Sequence, residues 1–88
     1  MPERRKHPRR AVALRGTIMS SGFPSVINCT VRDLSAGGAR LEVETALSIP
    51  GIPDAFDLLI HAGRGKEIQQ RRCEVAWRAE NRLGVSFH

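Results

Sequence analysis

Ser25-Val26-Ile27-Asn28-Cys29-Thr30-Val31-Arg32-Asp33-Leu34-Ser35-Ala36-Gly37-Gly38-Ala39-Arg40-Leu41-Glu42-Val43-Glu44 decides the fold, because apolar and polar residues alternate on both sides of a glycine-bearing break. Before the break, Ile27, Cys29 and Val31 share one face and Asn28, Thr30 and Arg32 the other. After it, Ala39, Leu41 and Val43 oppose Arg40, Glu42 and Glu44. A period of two is that of a strand with one buried face, so these runs predict a hairpin joined by residues 33–38. Asp, Ser and Gly are the ordinary residues of a tight turn. The same six positions also offer a carboxylate, a hydroxyl and bare backbone, which suits the rim of a site for a closely approaching ligand.

The alternation continues outward. Residues 11–20 place Val12, Leu14, Gly16 and Ile18 on one face and predict a first strand, punctuated by Ser21-Gly22-Phe23-Pro24. Residues 45–54 contain Pro50, Gly51 and Pro53 and predict a loop, since neither a central strand nor a helix interior tolerates such a density of prolines. Residues 55–61 predict a fourth strand with Phe56, Leu58 and Ile60 inward, and Ala62-Gly63-Arg64-Gly65 a turn. Residues 66–78 predict a fifth strand whose first half is exposed and whose second half turns Cys73, Val75 and Trp77 inward. Leu83, Val85 and Phe87 predict a sixth. Six short strands without an amphipathic helix predict an all-β unit, and a closed antiparallel barrel is favoured over an open sheet because closure removes exposed edges.

The chain has 88 residues, which is one domain with a single small core. No apolar run approaches the roughly 20 residues of a membrane span, and the N-terminus lacks the apolar block of a signal peptide, so a cytoplasmic location is expected. Cys29 and Cys73 lie far apart in strand-like runs without metal-ligand spacing; they predict reduced core residues, and no metal or cofactor is expected. Charge is uneven. Residues 1–10 carry five of the 14 Lys/Arg and one of the nine acids, so the head holds most of the net +5. With Pro8 biasing His7 toward extended backbone, residues 1–10 are read as a flexible basic arm and 11–88 as the barrel. Such a head is a solvated tail or the grip on an anionic partner.

Two spacings stand together in this frame: Arg5-x-x-x-Arg9 in the arm and Asp33-x-Ser35-x-x-Gly38 at a strand junction. In that order, and with Gly37-Gly38-Ala39-Arg40-Leu41 and Arg82-Leu83-Gly84-Val85-Ser86-Phe87 around them, they resemble the PilZ domain family. The resemblance implies a six-stranded barrel that binds the bacterial second messenger cyclic di-GMP through Arg5, Arg9, Asp33, Ser35 and Gly38. It adds Arg4 as a neighbour that influences how many nucleotides bind. Family members often continue into a C-terminal helix, here expected to be short or absent. The chemistry agrees with the ligand: arginine forks match guanine O6 and N7, and a carboxylate suits guanine N1–H and N2–H. Ser35 either donates to a phosphate or holds the turn. Gly38, with Gly37, admits close backbone approach. Trp77 is either core or a stacking surface for a base.

A mobile arm of this kind predicts a receptor whose arm orders on binding and which signals through an unidentified downstream protein; a monomer or weak homodimer is expected. Two alternatives are a small basic barrel binding nucleic acid, disfavoured because three Phe, one Trp and no Tyr leave few stacking surfaces, and a PilZ-like interaction module that binds no nucleotide. Neither Asp33 nor Ser35 has a general base at a predictable spacing, so an enzyme is not expected.

Overall fold

The computed structural model describes residues 10–20, 26–62 and 67–88. Residues 1–9 of the predicted arm, with Arg4, Arg5 and Arg9, lie outside the described residues, whereas Arg10, assigned to the arm from the sequence, begins the first strand. Six strands, β1 (Arg10–Met19), β2 (Ile27–Leu34), β3 (Gly38–Val43), β4 (Ala55–His61), β5 (Ile68–Ala79) and β6 (Arg82–Phe87), close into a barrel in the order β1-β2-β3-β6-β5-β4. Every pairing is antiparallel, and β1 closes the ring by pairing with both β2 and β4. The inward residues are those that the alternation selects: Ile18, Val31, Leu41, Phe56, Leu58 and Leu83 are fully buried. No polar or charged residue among the described ones is buried with them.

The proline-rich segment is more ordered than its composition suggests. Residues Ala46–Gly51 form a 3₁₀ turn capped by the Thr45 hydroxyl, which accepts from Leu47 N–H at 3.2 Å. Ile49 and Ile52 drop into the core from this segment and close one end of the barrel. Arg78 staples it, donating from Nη1 to the Ile49 carbonyl at 2.9 Å and from Nη2 to Asp54 at 2.8 Å. At that end Asn81 also ties the β5–β6 turn to β3 through the Val43 carbonyl, at 3.0 Å.

At the opposite end the strands finish unevenly. β1 runs from Arg10 while its pairing with β4 reaches only Arg15, and β5 begins at Ile68 while its pairing with β6 starts at Cys73. Among the described residues, the mouth of the barrel is bounded by the start of β1, the β2–β3 turn and the projecting half of β5.

Both cysteines are buried and unpaired. Burial, and secondarily the other thiol, pushes Cys29 up to about 12. Cys73 is likewise raised to about 12 by burial and by Asp57, against the opposing effect of Arg71 and Arg72. The thiolate is the reactive form, so at pH 8 iodoacetamide should leave the native protein unmodified and label both thiols only as urea unfolds it. Mass spectrometry across a urea series checks this; stoichiometric labelling of the folded protein would contradict the buried placement.

Candidate ligand site at the barrel mouth

The turn at residues 33–38 is held from within. Ser35 N–H donates to the Gly38 carbonyl at 2.9 Å and its hydroxyl to the same oxygen at 3.3 Å, while Gly37 N–H donates to Ser35 Oγ at 3.3 Å. These bonds are the turn-holding contacts read for Ser35. The turn is also fixed to the last strand, because Phe87 N–H donates to the Gly37 carbonyl at 2.9 Å. Gly38 pairs with Ser86, and a Cβ on it would overlap the Val85 carbonyl oxygen. At Gly38 the absence of a side chain thus lets the neighbouring strand β6 approach closely.

Asp33 lies just past an irregularity in the β2–β3 register, and this places it opposite Arg40. Arg40 Nε stands 2.9 Å from Asp33 Oδ2. That Nε–H has no aligned acceptor, so the contact is an ion pair held by charge and not a well-directed hydrogen bond. The preceding Arg32 is taken up separately by Glu42, at 3.2 Å. Arg40 in turn pairs across with Gly84, and Gly84 with Trp77. Asp33, Arg40, Gly84 and Trp77 therefore form one continuous row across four strands on the outer face.

Trp77 corrects the expectation of an inward ring. The β5–β6 register shifts between Val75 and Trp77, which breaks the parity that Cys73 and Val75 establish. Trp77 consequently lies on the outside, 39% exposed, with its indole over Gly84 so closely that any Cβ there would overlap Nε1 and Cε2. The same finding weakens the aromatic argument against nucleic acid, although a single shelf is still no ladder for successive bases.

Beside this row the mouth forms a cleft of about 330 Å³ lined by Arg10, Leu34, Ser35, Ala36, Gln69, Arg71 and Phe87. Gln69 and Arg71 had no place in the sequence reading. Arg40 entered it only as part of a strand-like run. The guanidinium of Arg71 lies over the Phe87 ring, 5.4 Å from its centroid. Arg10, the first described residue, pairs with Leu34, and Ala11 with Asp33, so the chain enters the barrel at the corner that carries the turn. Among the described residues no cluster of His, Cys, Asp and Glu fit to hold a metal occurs, and no helix is long and apolar enough to cross a membrane.

The family model for the PilZ domain matches residues 3–88. Among solved structures, the chain is similar to the PilZ domain with cyclic di-GMP of YcgR from Escherichia coli, at 18% identity and a TM-score of 0.77, covering 97% of this chain and 78% of that one. It is similar also to the Bacillus subtilis inhibitor of motility MotI, at 17% identity and a TM-score of 0.71, covering 98% of this chain. It spans 43% of that longer protein. At such identities the likeness is one of fold. None of the curated proteins matches the chain by sequence.

Proposed function

Because the chain belongs to the PilZ domain family, we propose that it is a cyclic di-GMP receptor domain, with the nucleotide held at the corner formed by the start of β1 and the β2–β3 turn. The observation that carries this reading is the pairing of Arg10 with Leu34 and of Ala11 with Asp33. Arg9 directly precedes Arg10, and Arg5 is at most about 18 Å of extended chain away, so both arginines are tethered within reach of Asp33. Arg5 and Arg9 then supply guanidinium forks to guanine O6 and N7, and Asp33 a carboxylate to N1–H and N2–H. Arg40 holds that carboxylate in place by charge, with its Nε 2.9 Å from Asp33 Oδ2. Ser35, Gly37 and Gly38 keep the turn in shape beneath the ligand, Trp77 offers a stacking surface, and Arg4 adds charge beside the first fork.

Binding would draw the basic arm onto the barrel and exchange a positive head for a neutralised surface that a downstream protein reads. The domain acts as an adaptor and not as an enzyme in this reading. Supporting it, the mouth and row present planar and cationic groups and the Asp33 carboxylate, the kinds of group that recognise a guanine nucleotide.

Calorimetry tests the proposal against its nucleic-acid rival. Cyclic di-GMP is expected to bind at micromolar or tighter and to perturb the emission of Trp77, the sole tryptophan. Single-stranded and duplex oligonucleotides should bind weakly and lose affinity steeply with salt. Tighter oligonucleotide than cyclic di-GMP binding would overturn the assignment.

A further inference from the structure

Arg71 is the feature of the mouth that the site residues already discussed leave without a role. It sits on the projecting half of β5, exposed, with its guanidinium over Phe87. Its neighbour Arg72 pairs with Asp57, at 3.5 Å, whereas among the described residues neither Arg71 nor Arg10 faces a carboxylate. An arginine whose plane is supported by an aromatic ring and whose charge is unmatched presents its other face ready to accept a flat, electron-rich group. The cleft beside it has apolar lining in Leu34 and Phe87, a second cation in Arg10 and an amide in Gln69, and no acid among the described residues lines it. That lining suits a ring bearing a nearby negative charge.

Size narrows the occupant. A cleft of about 330 Å³ is at the small end of ligand sites, which run from about 300 to 1,000 Å³, and so takes one base with its phosphate and not a whole dinucleotide. Leu34 and Ser35 in its wall follow Asp33 directly, so one ligand can lie across both. We infer that the cleft receives one half of the nucleotide: a guanine stacked on Arg71, which is itself backed by Phe87, with the adjoining phosphate paired to Arg10. This rests on the cyclic di-GMP reading above, and it makes Arg71 a binding residue for the guanine away from Asp33.

Titration of cyclic di-GMP into the parent, Arg71→Ala, Arg71→Lys and Arg9→Ala tests it, with urea midpoints measured alongside. Both Arg71 variants are expected to bind about five- to tenfold more weakly at an unchanged midpoint, since lysine keeps the charge but not the plane. Arg71→Lys binding like the parent while Arg71→Ala weakens would overturn the stack, and both binding like the parent would overturn the cleft as a site. Loss in Arg9→Ala with neither Arg71 variant affected would leave the receptor reading intact and remove this inference alone. A parent that does not bind cyclic di-GMP would remove both.

Discussion

Gly38→Val is expected to lower the stability of the barrel by about 3 kcal/mol and to weaken nucleotide binding as a consequence. The reason is the adjacent strand. A Cβ at this position overlaps the Val85 carbonyl oxygen, and backbone, unlike the tip of a flexible side chain, cannot turn aside. Relief requires β3 to move away from β6, which strains the Gly38 to Ser86 pairing and the hydrogen bond from Phe87 N–H to the Gly37 carbonyl. A domain of this length has only about 5–10 kcal/mol in total, so the loss is a large fraction of it. Binding weakens because the same displacement carries the Ser35 turn and Phe87, which form two walls of the mouth. Urea unfolding and calorimetry on the variant check both effects. A variant with the parent's urea midpoint that no longer binds would return the close approach at Gly38 to the ligand.

The readability of this chain follows from where its strands obey strict alternation. β2, β3, β4 and β6 bury one face, so Val31, Leu41, Phe56 and Leu83 announced their orientation and, with six strands in series, the closed barrel. Trp77 did not, because the register shift after Val75 is a backbone event with no residue signature of its own. The pairing of Asp33 with Arg40 was hidden for the same reason: it depends on the irregularity between Val31 and Asp33. Ile49 and Ile52 lie in a segment whose prolines exclude a strand but do not reveal a 3₁₀ plug. The mouth cleft was illegible because Arg71 meets the Ser35 turn only after the chain has closed on itself, with β5 overrunning the end of β6. The Asp33 to Gly38 motif was legible as a turn; that its second glycine serves strand packing was not.

Removing both arm arginines should have the larger effect on binding. Arg9→Ala alone is expected to weaken cyclic di-GMP binding about ten- to a hundredfold, the worth of one charge-assisted fork at roughly 1–3 kcal/mol. Arg5→Ala with Arg9→Ala removes two forks, and if they grip separate groups the losses add to about a hundred- to ten-thousandfold. Arg9→Lys should behave closer to alanine than to the parent, because an ammonium supplies charge without the planar pair of donors that guanine O6 and N7 match. The core residues among those described all lie C-terminal to Arg10, so the urea midpoint of all three variants should equal the parent's. That separation makes the experiment informative about the arm itself: the tether at Arg10 and Leu34 brings it to the Asp33 corner whether or not it grips anything. A double variant that binds cyclic di-GMP as tightly as the parent would show that the barrel mouth and outer row hold the nucleotide unaided, leaving the arm only its general attraction for anions.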